Sequence, residues 1–209
     1  MTTNVYIDGF NLYYGCLKGT PHKWLDLEAF CARLLPKDDV QRIRYFTARV
    51  TPRPDDPDVD KRQRAYLRAL GTLPKVSVHL GHFLSYPTRM ALANPPAGGP
   101  KTVEVIKTEE KGSDVNLASH LLLDVFTRDC DVAVVISNDG DLKEPLMMAR
   151  YRLGCTVGIV NPHSKGNPSK ALAGCAAFYK SVRPSTLAAS QFPTSLSDSR
   201  GALHKPPTW

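Results

Sequence analysis

Two runs, Asp131 to Ser137 (DVAVVIS) and Cys155 to Val160 (CTVGIV), are almost unbroken in apolar residues yet only seven and six residues long. A run of that length with no polar alternation suits a strand covered on both faces, as in a parallel sheet flanked by helices. Around these two, short apolar runs alternate with stretches of helical period, so the chain is expected to form an α/β fold with a mostly parallel sheet. The pattern predicts strands over 5–7, 43–50, 76–84, 103–107, 132–137 and 156–160. It predicts helices over 25–35, 60–70, 113–126 and 142–153.

In the last helix Leu142, Leu146, Ala149 and Leu153 form one apolar stripe, Pro145 falls in the first turn and Gly154 ends it. Ser113 is the expected N-cap of the 113–126 helix, which puts Asp114 in the first turn at the positive end of the dipole. Two stretches fall outside the pattern. Residues 85–100 (SYPTRMALANPPAGGP) hold four prolines and two glycines and read as a long loop. Residues 181–209 hold six serines and four prolines and read as a tail that packs on the domain or stays mobile, leaving residues 1–180 as the domain proper.

Composition narrows the setting. Hydrophobic residues at 42% and charged residues at 22% allow a core and argue against wholesale disorder. No apolar run exceeds five residues, the length of Val132 to Ile136, far short of the roughly 20 residues of a membrane span. The first ten residues carry no secretion signal, so residence in the cytoplasm is expected. Five cysteines without a CxxC pair read as small core residues in a reducing compartment. A net charge of +7 favours polyanionic partners, nucleic acid above all.

Chemistry is carried by four aspartates. Asp8 ends the first predicted strand, Asp139 and Asp141 follow the strand ending at Ser137, and Asp114 opens a helix. Ligands of open α/β sheets bind outside the carboxyl ends of the strands, where strand order reverses, so all four are expected to face one crevice. Four carboxylates together are costly without a counter-charge, and a hard cation such as Mg²⁺ or Mn²⁺ removes that cost. Individually, Asp141 with Glu144 also fits a capping box and Asp139 an ordinary turn. Phe10 stands where a haloacid-dehalogenase-like phosphatase needs its second acid, and GxGxxG, P-loop and HExxH motifs are all missing.

Three segments carry a resemblance. Tyr6-Ile-Asp8-Gly9-Phe10-Asn11-Leu12 resembles the opening of NYN domains, the PIN-like nuclease relatives. Lys111-Gly-Ser-Asp114-Val-Asn-Leu resembles their K-G-x-D-V-x-L helix start, and Ser137-Asn-Asp139-Gly-Asp141-Leu their S-x-D-x-D-[FL] turn. The resemblance covers about residues 3–180 and implies a PIN-like three-layer α/β/α sandwich of Rossmann-like topology. It also implies a divalent-metal ribonuclease, with Asp8, Asp114, Asp139 and Asp141 as the acidic, metal-holding site and Asn11 orienting the first-strand region or contacting substrate.

RNA is the expected partner. Lys111 is a candidate for a nonbridging phosphate oxygen. Lys61, Arg62, Arg64 and Arg68 form a basic cluster on one predicted helix, with Lys143, Arg150 and Arg152 on another, each also compatible with a solvated face. Tyr13, Tyr14 and Trp24 are candidates for base stacking or for core packing. A homodimer, or a protein partner met through the tail, is open to such a chain. The competing readings are a noncatalytic RNA-binding or regulatory module and a structure-specific DNA nuclease of the same superfamily.

Overall fold

Side chains of the first strand divide between two cores, and that division builds three layers. The computed structural model describes residues 1–163 and 169–209. It begins β1 (Thr2–Asp8), α1 (Gly9–Leu12), α2 (Leu27–Leu34), β2 (Asp39–Ala48), α3 (Val59–Leu70) and β3 (Val76–Ala91). It continues β4 (Thr102–Lys111), α4 (Ser113–Phe126), β5 (Val132–Ile136), α5 (Lys143–Met147) and β6 (Thr156–Asn161). Then come α6 (Lys170–Cys175), β7 (Phe178–Ser181), α7 (Pro184–Ala188), β8 (Ser195–Asp198) and β9 (Gly201–His204).

Seven strands form one sheet in the order β4-β3-β2-β1-β5-β6-β7, parallel throughout except for the β3–β4 pair. Because strand side chains alternate, Val5, Ile7, Val134 and Ile136 point to the core under α2 and α3, while Tyr6, Ala133 and Val135 point to the core under α4 and α5. This is the α/β sandwich that the apolar runs predict, with the two runs as the interior strands β5 and β6 and β1 in the middle of the sheet.

Several boundaries differ from expectation, each for a local reason. The predicted loop over 85–100 is mostly strand: β3 runs to Ala91 and pairs with β4 as a long antiparallel hairpin, leaving a loop over 92–101. Beyond Gly81, β3 no longer pairs with β2, so one of its edges is open and Pro87 can be accommodated. Pro95, Pro96, Pro100 and both glycines fall in the loop itself.

The predicted 142–153 helix is three pieces: a 3₁₀ turn over Gly140–Leu142, α5, and a π-turn over Met148–Arg152. A π-turn takes more residues per revolution. Leu142, Leu146 and Ala149 stay buried, but Leu153 is rotated out to 39% exposure. Gly154 ends the segment at φ 73°, as predicted. Ser113 is the first residue of α4 and not its N-cap; Gly112 occupies the cap at φ 97°, and the Glu110 carboxylate accepts from Ser113 N and Oγ at 3.1 and 2.7 Å.

The Ser/Pro-rich stretch contributes to the core. Residues 191–193 run along residues 24 and 25: Phe192 N donates to the Trp24 carbonyl at 2.9 Å, and Trp24 Nε1 donates to the Pro193 carbonyl at 2.8 Å. Phe192 packs on the fully buried Trp24 with ring centroids 5.6 Å apart. Arg68 on α3 holds the β8–β9 hairpin through Asp198 and the Gly201 carbonyl. Phe192→Ala is therefore expected to destabilise the protein by about 3 kcal/mol through loss of apolar burial and a residual cavity. Urea unfolding would measure it, and a cost below about 1 kcal/mol would show that this segment is not part of the cooperative core.

Candidate functional site

Strand order reverses between β1 and β5, and their carboxyl ends open on one crevice. Asp8 is the last residue of β1 and only 4% exposed. A carboxylate so buried needs donors. Asn11 supplies two, its backbone N to Oδ1 at 2.9 Å and its Nδ2 to Oδ2 at 2.7 Å, and the Ser137 hydroxyl donates to Oδ2 at 3.0 Å. Asp8 thereby caps α1, which explains why Asn11 stands three residues after it. Gly9 between them is required by space: a Cβ there would lie 2.7 Å from the Phe46 carbonyl oxygen and the Tyr45 ring.

The β5 side is tied to the same group. Ser137 Oγ accepts from Asp139 N at 3.0 Å, Asn11 Oδ1 accepts from Asn138 N at 3.2 Å, and Asp139 Oδ1 accepts from Asp141 N at 3.0 Å. Asp139 is thus the cap of the turn, in place of the Asp141–Glu144 capping box, and Asp141 lies exposed in the first turn. Asp114 stands in the first turn of α4 and is exposed to solvent.

These acids bear on one another electrostatically. Burial pushes the Asp8 carboxyl above the usual aspartate range, the Asn11 and Ser137 hydrogen bonds partly offset this, and the charge of Asp139 pushes it further up. Asp114 is raised to about 6, first by desolvation in the crevice and then by the charges of Asp8, Asp139, Glu110 and Asp141. All four predicted aspartates therefore lie in one field. They are not closed into a ligand cage, because among the described residues no three His, Cys, Asp or Glu side chains stand together as a metal-binding group. An open acidic crevice of this kind fits a hard divalent cation that is held by one or two carboxylates and completes its shell with water.

Two members of the site escape the motif reading. Glu110 is in the field of Asp114 because β4 extends beyond the predicted 107 to Lys111. His163 Nε2 lies 3.2 Å from Asn11 Oδ1 and follows β6, at the same sheet edge as the acids. The strand-end rule that selects the aspartates applies equally to it.

The basic candidates are spread more widely. Lys111 is half exposed and pairs with Glu109 at 3.4 Å. Arg64 is 60% exposed and pairs with Asp60, Lys61 pairs with Asp58, and Arg68 is spent on Asp198, so much of the basic face of α3 is already paired. Arg150 donates to the Cys175 carbonyl. Arg62 pairs with Asp56 and lines a cavity on the far side of Gly9 and Phe10, together with Tyr13 and Tyr14; Trp24 is core.

A raised Asp114 makes a signed prediction. Its protonated form is favoured in the folded state, so its contribution to stability is complete below the unfolded value near 3.8 and is lost as pH rises through about 6. Without divalent metal, Asp114→Asn is expected to raise the thermal midpoint at pH 7 by on the order of 2 °C, with the gain shrinking toward pH 4. Differential scanning calorimetry in EDTA measures this, and an unchanged or lower midpoint at pH 7 would contradict the mutual repulsion.

Comparison with known proteins agrees with this geometry. Residues 2–181 match the NYN domain. The chain is 35% identical over 193 residues to a protein named 6-hydroxy-3-succinoylpyridine 3-monooxygenase HspA from Pseudomonas putida (strain DSM 28022 / S16), the match covering 81% of this chain. It spans 62% of that relative's length. A crystal structure of a protein of unknown function from Vibrio parahaemolyticus RIMD 2210633 superposes with a TM-score of 0.55 at 17% identity, covering 88% of this chain and 93% of that one, and shows the fold alone. With the three acidic segments meeting at one strand reversal, the chain belongs to the NYN domain family, within the PIN-like nuclease superfamily.

Proposed function

We propose that this protein is a divalent-metal-dependent ribonuclease that hydrolyses RNA phosphodiester bonds at the crevice between β1 and β5. The observation that carries the reading is the junction of Asp8 with Ser137 and Asp139 at the strand reversal, beside which burial and then the charges of Asp8, Asp139, Glu110 and Asp141 raise the Asp114 carboxyl. A fold does not gather such charges for stability, and relief by a cation shared with a phosphate is the chemistry that suits them. Held through one or two of the carboxylates of Asp8, Asp139 and Asp141, with water completing its shell, Mg²⁺ or Mn²⁺ would supply water activation and charge neutralisation at the phosphoryl group.

The chain's own residues do the rest. Asp8 is held in one orientation by Asn11 and Ser137, so its carboxylate needs no reorganisation when substrate arrives. Asn11 joins the β1 and β5 sides through Asn138 N and so sets the spacing of Asp8 and Asp139. Asp114, exposed to solvent and with an elevated proton affinity, orients the attacking water and takes its proton on a carboxylate oxygen.

A second reading is favoured by one observation, the 35% identity to a protein named as a pyridine-derivative monooxygenase. Consumption of 6-hydroxy-3-succinoylpyridine in the presence of oxygen and a reduced nicotinamide would support it.

Labelled single-stranded and hairpin RNA, incubated with Mg²⁺, Mn²⁺ or EDTA, tests the first reading against matched DNA. Cleavage is expected to need metal, to favour RNA, and to fall by about 100-fold or more in Asp8→Asn and in Asp139→Asn. RNA retained but uncut under all conditions would support a noncatalytic RNA-binding module, and cleavage that survives both substitutions would remove the acids from the mechanism.

A further inference from the structure

A cavity of about 500 Å³ lies directly behind the acidic crevice. Gly9 and Phe10 line it, while their sequence neighbours Asp8 and Asn11 belong to the crevice. Tyr45 forms part of the partition: its ring packs against Gly9 and its hydroxyl lies in the field of Asp8. A volume of this order suits one small ligand and is too small for a stretch of duplex.

The lining has a definite chemistry. Tyr13, Tyr14, Tyr66 and Trp209 give it aromatic walls, with the Tyr66 and Trp209 rings 5.9 Å apart and Tyr13 and Tyr14 meeting edge to face at 5.3 Å. Four cationic side chains line it, Lys18, Lys23, Arg53 and Arg62, against two carboxylate side chains, Asp55 and Asp56, a side-chain excess of two positive charges. Lys18 Nζ sits 4.9 Å over the Tyr14 ring, and Arg62 is fixed by Asp56 at 2.5 Å. Among the described residues Arg53 makes no ion pair, and it is exposed. The adjoining crevice is strongly negative, so an anion is drawn to the cavity and repelled from the acids. Aromatic faces hold flat rings and the cations hold an attached anionic group.

We propose that this cavity is a second binding site, which takes a planar heteroaromatic ring bearing a phosphate or carboxylate. Two sources present that chemistry. One is a nucleotide of single-stranded RNA flanking the scissile bond, which rests on the ribonuclease reading. The other is a free pyridine carboxylate, which does not.

Titration calorimetry in EDTA, followed in parallel by Trp209 fluorescence, reads the site without metal or cleavage. The probes are uridine monophosphate, uridine and 6-hydroxynicotinic acid. Saturable binding is expected, weakened about fivefold or more in Arg53→Glu and in Trp209→Ala, with uridine weaker than its monophosphate by a similar factor. Binding by the nucleotide alone assigns the site to RNA, and binding by 6-hydroxynicotinic acid alone assigns it to small aromatic acids; either supports the proposal. No saturation up to roughly 10 mM with any probe, or affinities untouched by both substitutions, overturns it. Because no metal is present, lost binding with RNA cleavage intact refutes the cavity alone, and intact binding without cleavage refutes the ribonuclease alone.

Discussion

The parallel pairing of β1 with β5 is the constraint on which the rest of this molecule depends. It runs from Thr3 opposite Val132 to Ile7 opposite Ile136, with nearly every side chain buried on both faces. Such a pair cannot be joined by a tight turn, so the intervening chain must build one wing of the sheet before returning, and the second wing grows from β5. Strand order therefore reverses here. The two carboxyl ends diverge into a crevice that no local contact produces, and Asp8 and Ser137 meet across it at 3.0 Å despite lying 129 residues apart.

Two carboxylates of α4 show how the fold treats charge in opposite ways. Asp124 is buried, accepts from Arg44 Nε and Nη2 at 2.7 Å each, and accepts the Tyr6 hydroxyl at 2.9 Å. It is a compensated structural acid, and removing either partner would leave a buried charge alone. Asp114, ten residues earlier on the same helix, is raised first by desolvation and then by the charges of Asp8, Asp139, Glu110 and Asp141. Partial burial beside other carboxylates at a strand reversal is a cost to the fold, and the proton affinity of Asp114 rises accordingly.

The cavity behind Gly9 adds a second polarity to this arrangement. Glycine at that position lets α1 start against β2, so one wall separates a negative crevice from a positively charged aromatic chamber. The chamber owes Thr208 and Trp209 to the chain beyond the NYN match, whereas the rest of its lining and the whole crevice are built within it. Variation outside the matched region can thus alter what enters the chamber while leaving the acids in place.

Much of this was legible in the sequence because it rests on local periodicity. Unbroken apolar runs mark β5 and β6, helical stripes mark α3 and α4, and strand-end placement selects Asp8, Asp114, Asp139 and Asp141. Composition misled where it stood in for contacts: prolines concealed the β3–β4 hairpin, and serines concealed the single apolar residues Leu187, Phe192 and Leu203 that enter the core. A basic face on α3 was also visible; Arg64 and Lys61 pair with acids four and three residues earlier, as helical spacing allows, but Arg68 finds Asp198, which charge counting cannot place. The sequence by itself determined the layers, the family and the acidic set, since those follow from spacing along one chain. Only the tertiary structure decided which cations stay available, that Glu110 and His163 join the site, and that a chamber lies behind it, because pairing and enclosure arise between residues far apart in sequence.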